Sequence, residues 1–322
     1  MIVKKIGVLT SGGDSPGMNP CIRAVVRTAL FHGCEVIGVM EGFNGLINGE
    51  MSPLTYRDVG GIIQNGGTIL ETARSEVFRT KKGQREAIRE LNEEGIDGLI
   101  VIGGDGSLRG AHALAEKGVS VVGIPASIDN DIWGTNMSIG VDTALNTIIE
   151  AIDKLRDTAS SHNRAFLVET MGRNSGYLAL MGGIISGAEM VLLPELEVSL
   201  QEVADTIEKS YLRGKNHAII VVAEGASFRS SELSTKLEEL DVGFKTRVTI
   251  LGHIQRGGRP SAFDRLLSTR LGVKAVEVLL EGQVDVMVGL MGREIVVVSL
   301  EEVTSRSRAA NLKFLDMFMK VT

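Results

Sequence analysis

Short β-branched runs alternate with longer amphipathic stretches along almost the whole chain. No other feature constrains the fold as strongly. Strands are predicted at KKIGVLT, CEVIGVM, DGLIVIGG, VSVVGIPA, RAFLVETMG, MVLLPE, HAIIVVAEGA and TRVTILGH. Helices are predicted between them, at 17–31, 84–94, 107–116, 141–157, 175–186, 199–212 and 262–280. Strands that are apolar throughout are buried on both faces, and when helices connect them the sheet is parallel. The expected class is therefore α/β. Most of these strands end in Gly, Asp, Glu, Thr or His. Ligands of such sheets bind beyond the carboxyl ends of the strands.

A chain of 322 residues that is 43% hydrophobic can bury two α/β lobes or one large domain. Six prolines against 39 glycines leave no Pro-rich linker, so two lobes would be joined by chain crossings. Crossings are expected near GVDTA, at about 139–142, and near LGHIQRGG. A net charge of −6 argues against a broad nucleic-acid face, so any anion site must be a local Arg cluster. Cys21 and Cys34 lack CxxC spacing, which fits buried thiols in a reducing cytosol better than a disulfide framework or a zinc site. The opening MIVKKIGVLTSGG does not read as a signal peptide. Apolar runs such as AIIVVA are too short to span a bilayer. A cytoplasmic protein with no membrane and no nucleic-acid partner is expected.

Six stretches carry candidate chemistry. TSGGDSPGMN, residues 10–19, is a glycine turn between a strand and a Pro-started helix. Such a turn presents backbone N–H groups and a helix N-terminus to phosphate, or is simply a tight turn. In GLIVIGGDGSLRGA, residues 98–111, Asp105 sits inside a second glycine turn. A carboxylate beside a phosphate cradle calls for Mg²⁺, with an N-cap or Asx-turn role as the alternative. IPASIDNDIWGT, residues 124–135, ends a strand in Asp129, Asn130 and Asp131, either a catalytic edge or an acidic turn. VETMGRNSG brings Arg173 to a strand end, VVAEGA brings Glu224, and RVTILGHIQRGGRPSAFDR gathers Arg247, His253, Arg256 and Arg259 around a glycine pair. Arg is suited to bidentate phosphate recognition, although a single Arg is more often a solvated charge.

The set GGDSPGMN, GGDGS, PASIDND, MGRNSG and RVTILGHIQRGG, with DR six residues on, resembles the bacterial-type ATP-dependent 6-phosphofructokinases across nearly the whole chain. The resemblance implies an α/β fold of two Rossmann-like, three-layer lobes with mainly parallel sheets and the active site in the cleft between them. The larger, ATP-binding lobe would hold 1–138 and about 252–305. The smaller, sugar-phosphate lobe would hold 139–251 and about 306–322. The implied reaction moves the γ-phosphoryl of MgATP to the 1-hydroxyl of fructose 6-phosphate, the committed step of glycolysis, giving fructose 1,6-bisphosphate and ADP. Gly13, Arg74, Ser75 and the turn Gly104, Asp105, Gly106 and Ser107 would meet the nucleotide, with Asp105 at the magnesium ion. Asp129 would be the catalytic base, Asp131 the second carboxylate, and Ser127 a hydroxyl where Thr is usual. Arg173 would neutralise the transferred phosphoryl. Met171, Gly172 and Glu224 would touch the sugar, and His253 and Arg256 its 6-phosphate. Arg164 and Arg247 would complete that clamp from a neighbouring subunit of a homotetramer.

Two positions bear on the donor. Pyrophosphate-using relatives usually carry Asp in place of Gly106 and Lys in place of Ala126, so both residues favour ATP. Arg23, Arg27, Arg156, Glu189, Lys215 and His217 match the family's effector site for ADP or phosphoenolpyruvate. Arg213 replaces a Lys there, and Arg57 lies nearby in an altered segment. Three other readings stay open: a kinase of another sugar phosphate such as tagatose 6-phosphate, a pyrophosphate-dependent phosphofructokinase, and a non-catalytic sugar sensor, which needs neither Asp105 nor Asp129. Trp133 stands where a smaller or charged residue is expected, with no evident reason.

Overall fold

The computed structural model describes residues 3–321. Its strands are β1 (Lys5–Ser11), β2 (Glu35–Val39), β3 (Met51–Pro53), β4 (Gly98–Gly103), β5 (Val121–Pro125), β6 (Arg164–Thr170), β7 (Met190–Leu192), β8 (His217–Ala223), β9 (Lys245–Ile250), β10 (Val286–Met291) and β11 (Glu294–Ser299). The helices are α1 (Met18–Phe31), α2 (Phe43–Asn48), α3 (Lys81–Glu94), α4 (Asp105–Ala115), α5 (Val141–His162), α6 (Tyr177–Ser186), α7 (Leu200–Leu212), α8 (Ser230–Glu239), α9 (Ala262–Leu280), α10 (Leu300–Ser305) and α11 (Lys313–Val321).

The described chain divides into two compact units. One holds the residues up to Ile128, then Ile132–Thr143 and Arg256–Ser307. The other holds Asp129–Asp131, Ala144–Gln255 and the chain from Arg308 onward.

The first unit contains a seven-stranded sheet in the order β11, β10, β5, β4, β1, β2, β3. The five central strands are parallel, and the edges β3 and β11 are antiparallel. Successive side chains of a strand point to opposite faces. Ile100 and Ile102 of β4 accordingly join one buried cluster with α1 and α9, while Leu99 and Val101 join another with α3, α4 and α10. This burial on both faces is why the strands read as continuous apolar runs. The second unit has four parallel strands in the order β7, β8, β6, β9. Its buried cluster sets Leu167, Ile220 and Val222 against Val203 and Ile207 of α7 and Leu233 and Leu237 of α8.

The α/β class and the parallel sheets agree with expectation. The strands β3, β10 and β11 and the helices α2, α8, α10 and α11 were not among the predicted elements. α2 and α10 are six residues each, too short to show a helical period. The β10–β11 hairpin turns at Gly292, φ +62°, and an edge hairpin needs no helix to announce it.

In the first sheet the chain leaves β1 for β2 on one side, while β4 lies on the other side of β1. The winding reverses between β1 and β4. Ligands of open α/β sheets bind at such a switch point, beyond the strand carboxyl ends. Both glycine turns identified from the sequence start there.

Candidate functional site

In the first unit, Ser11 at the end of β1 is in register with Gly103 at the end of β4, so the two glycine turns begin side by side. A Cβ on Gly103 would lie 2.6 Å from the Ser11 carbonyl oxygen and 2.6 Å from the Ser107 side chain. Only glycine allows that packing. At Gly13 the obstacle is a cation, since a Cβ would lie 2.5 Å from Arg256 Nη1. Arg256 Nη1 donates to the Asp14 carbonyl at 3.0 Å, which holds its guanidinium over the first turn. Thr72 Oγ1 donates to the Gly12 carbonyl at 2.7 Å and so brings the segment bearing Arg74 and Ser75 alongside. Arg74 is exposed, and Ser75 Oγ accepts from the Phe78 N–H at 3.3 Å.

Helix α4 begins at Asp105, two residues earlier than predicted, with Gly104 at the N-cap. The Asp105 side chain does not occupy the N-cap. It points instead to Arg109 one turn on, Oδ2 accepting from Nε at 2.9 Å, and is 39% exposed. Around Gly106 a Cβ would meet nothing within 4 Å, whereas Ser107 is buried. Ser127 is nearly buried, its Cβ 3.7 Å from where a Gly104 Cβ would be.

In the second unit, Arg173 Nε lies 3.5 Å from Asp129 Oδ2. Asp129 is 2% exposed, so this is a buried carboxylate facing a half-exposed cation. Between the two carboxylates Asn130 has φ +51°. Asn is one of the few residues that adopts this left-handed conformation readily, which fits Asn130 as the residue that makes the turn.

Arg173 also has φ +52°, immediately after Gly172 at φ +146°. Glu224 braces this unusual backbone. Its Oε1 accepts from the Gly172 N–H at 3.1 Å and from the Arg173 N–H at 2.6 Å. Gly225 must be glycine, because a Cβ there would lie 2.1 Å from the Arg173 carbonyl oxygen. The Met171 N–H donates to Oε1 of Gln255, 0% exposed, at 3.3 Å, and Gln255 Nε2 donates to the Gly252 carbonyl at 3.0 Å. His253 is exposed in the short helical turn Gly252–Arg256. The carboxyl ends of β6, β8 and β9 thus gather Met171, Gly172, Arg173, Glu224, His253 and Gln255. Gln255 was not among the sequence candidates, although it lies inside GHIQRGG.

The phosphofructokinase family model matches residues 5–279. The chain is 54% identical over 316 residues, 98% of each chain, to the ATP-dependent 6-phosphofructokinase of Thermotoga neapolitana. It is 52% identical over 310 residues to that of Halalkalibacterium halodurans, covering 96% of this chain and 97% of the relative. The chain belongs to the phosphofructokinase family. A solved structure of phosphofructokinase from Saccharomyces cerevisiae matches with a TM-score of 0.88 at 40% identity over 94% of this chain. The chain spans less than half, 45%, of that yeast chain. A pyrophosphate-dependent phosphofructokinase from Marinobacter aquaeolei matches with a TM-score of 0.86 at 20% identity, covering 97% of this chain and 86% of the other. That likeness shows the fold alone.

Not every phosphofructokinase motif residue reaches the gathered strand ends. Arg164 opens β6, while Arg173 follows its far end. Seven residues at about 3.3 Å each separate the two strand ends by roughly 20 Å. Arg247 lies within β9 opposite Phe166, and its Nη1 donates to the Thr246 carbonyl at 2.7 Å. Within one chain neither residue joins Arg173.

The phosphofructokinase effector candidates fall into two groups. In the first unit, burial and then the neighbouring Arg27 charge hold the Arg23 pKa below its ordinary value. Arg27 lies 5.8 Å from the centre of the Tyr56 ring, and Arg57 is exposed. In the second unit, Lys215 Nζ is 3.0 Å from Glu189 Oε1, and Glu189 Oε2 accepts from the Ile219 N–H at 2.6 Å. Arg156 donates to the Ser186 carbonyl. Burial pushes the His217 pKa down, against the pull of Glu189 and with the charges of Arg156 and Lys215. Arg213 lines a cavity with Glu189 and Lys215.

Asp264, quoted from the sequence only as part of the DR pair, was given no role there. It is 0% exposed and accepts from the N–H groups of Gly140, at 2.9 Å, and Thr143, at 2.8 Å, and from Thr143 Oγ1, at 2.6 Å. Burial raises its pKa to about 6 against these three donors, which pull the other way. It organises the start of α5. Ser261 at the N-cap of α9, with Asp264 three residues on, is the sequence signal that could have found it.

Among the described residues no group of three or more His, Cys, Asp or Glu could hold a metal ion. Mg²⁺ in phosphoryl transfer is normally bound through one or two carboxylates, phosphate oxygens and water. Asp105, part-exposed with open space at Gly106, fits that use. Cys21 and Cys34 are buried free thiols whose pKa values burial raises. No helix among the described residues is long and apolar enough to cross a membrane.

Proposed function

We propose that the chain transfers the γ-phosphoryl group of MgATP to the 1-hydroxyl of fructose 6-phosphate. One observation carries the mechanism: Asp129, buried at 2% exposure, faces the Arg173 guanidinium at 3.5 Å. Chemistry of this kind depends on alignment and charge neutralisation. Asp129 takes the proton of the sugar hydroxyl as its oxygen bonds to phosphorus. Arg173 neutralises charge on the transferred group while the bond to the leaving ADP oxygen breaks. Asp131 supports the charge of the loop, and Ser127 offers its hydroxyl to the reacting groups. Gly13, Arg74, Ser75, Gly104, Gly106 and Ser107 receive the nucleotide. Asp105 would hold Mg²⁺, which supplies charge neutralisation on the nucleotide. Met171, Gly172 and Glu224 receive the sugar, and His253 and Arg256 its 6-phosphate.

Arg164 and Arg247 serve the active site of a neighbouring copy in a homotetramer. Their distance from Arg173 along the strand supports this reading. Arg23, Arg27 and Arg57 of one copy and Arg156, Glu189, Arg213, Lys215 and His217 of a neighbouring copy form an anion site for ADP or phosphoenolpyruvate at a subunit interface. The lowered Arg23 pKa supports it, because a bound anion would offset first the burial of that guanidinium and then the neighbouring Arg27 charge. The working compartment is the cytoplasm.

A coupled assay with fructose 6-phosphate and either MgATP or pyrophosphate tests the donor, and tagatose 6-phosphate as acceptor tests the sugar. Turnover with pyrophosphate alone would overturn the assignment. Titration with ADP and phosphoenolpyruvate tests the effector site, and activity indifferent to both would remove it.

A further inference from the structure

We propose that Trp133 is a positioning residue for the loop that carries Asp129. The inference rests on the reading of Asp129 as the base. The segment between β5 and α5 is fastened at both ends. At its root Ala126 bridges to Ile139 and the Ser127 N–H donates to the Ile139 carbonyl at 3.2 Å. Downstream, the Asn136 N–H donates to the Leu290 carbonyl at 2.6 Å, and Thr135 Oγ1 accepts from the Leu290 N–H at 3.1 Å. The stretch from Ile128 to Trp133 lies between these fastenings.

Within that stretch Ile132 is 2% exposed and shares a buried cluster with Leu300 and Val303 of α10. Trp133 extends the attachment. Its Nε1 donates to Glu302 Oε1 at 3.3 Å, and its ring centre lies 5.1 Å from Arg306 Cζ. Arg306 Nη1 is 3.0 Å from the same Glu302 oxygen, so ring, cation and carboxylate close a triangle. Two residues before Trp133 and two after Arg306, the Arg308 N–H donates to the Asp131 carbonyl at 3.0 Å. Residues 131–133 and 306–308 therefore run antiparallel and are joined twice.

This arrangement gives the unexpected tryptophan a task. Asn130 makes its turn at φ +51°, and the backbone on either side of it sets where that turn carries Asp129. Its upstream neighbours are set by pairing at Ala126 and Ser127. Its downstream neighbours are set by Ile132 and Trp133, the latter four residues from Asp129. A loosened staple leaves the core and both binding surfaces in place but lets the carboxylate wander. Misplacement of about 1 Å can cost about 100-fold in rate.

The test compares native protein with Trp133→Ala, Trp133→Phe and Arg306→Ala in steady-state assays with MgATP and fructose 6-phosphate, with a thermal unfolding curve for each. Arg306 is exposed, so its variant folds even if Trp133→Ala does not. Expected are a kcat about 10-fold lower for Trp133→Ala, KM values for both substrates within about 2-fold, partial recovery in Trp133→Phe, and an intermediate loss in Arg306→Ala. Native kcat in Arg306→Ala and in every Trp133 variant that folds would overturn the proposal. So would kcat and KM worsening in step with Tm and without recovery in Trp133→Phe, since that marks a merely structural residue. A native enzyme that turns over neither substrate would instead sink the functional reading on which the proposal rests.

Discussion

Replacing Glu224 decides between two roles for one carboxylate. The family resemblance makes it a sugar contact, and the structure makes it the brace of the backbone that aims Arg173. Glu224→Ala removes two charge-assisted bonds, at 3.1 and 2.6 Å, from the N–H groups of Gly172 and Arg173. Hydrogen bonds to charged groups contribute about 1.5–3 kcal/mol each, and an exposed turn retains only part of that. A combined loss of about 2 kcal/mol, falling on the conformation that presents Arg173, corresponds to roughly 30-fold in kcat. Glu224→Gln keeps an acceptor oxygen in place, and a neutral acceptor is about half as strong. Its loss should be near 1 kcal/mol, or about 5-fold. The measurement is kcat and the sugar-phosphate KM at saturating MgATP. A bracing role lowers kcat in the order Ala below Gln. If Glu224→Ala raised KM alone and left kcat within about 2-fold of native, the bracing argument would be refuted.

Asp129→Ser should lower kcat by about 10²–10⁴ while sugar phosphate still binds, measured by turnover and by calorimetric titration. Gly106→Asp should fold normally, because nothing lies within 4 Å of the new Cβ. Its use of MgATP should fall steeply, since like charges brought together cost several kcal/mol, and unchanged kcat/KM for ATP would contradict the donor argument. Asp264 gives a pH signature. Its pKa is raised from 3.8 to about 6, so between those values the folded state holds a proton that the unfolded state has lost. Stability from this group is full below the lower value and is lost as pH rises through 6, by up to about 3 kcal/mol. Urea midpoints across pH 4–7 should show this slope in native protein and not in Asp264→Asn.

The strand and helix order was legible because both sheets are buried on two faces, which leaves uninterrupted apolar runs such as GLIVIG in β4. The candidate ligand edge stood out for a related reason. Glycines and carboxylates at the strand ends break the apolar runs, so Gly13, Asp105 and Asp129 stood out. Asn130 was legible as a turn residue because its side chain tolerates a positive φ. What escaped depends on pairing between distant segments. Glu224 braces residues 172–173 only because β8 lies beside β6. Gln255 meets Met171 only because β9 flanks β6 on the other side. Trp133 had no explanation until α10, a six-residue helix with no readable period, was placed against it.

The loop Asp129–Asp131 belongs to one compact unit while the residues on either side of it belong to the other. Neither unit is a continuous piece of chain. No single cut yields two fragments that each contain a whole unit, and an expression clone of 144–255 alone would lack both the three-residue loop and the final helix. The proposed base is threaded between the units in the primary sequence, so recombination that exchanged whole units between relatives would have to splice a three-residue insert into the middle of its partner. The two units are bound to a common inheritance by the way the chain is sewn.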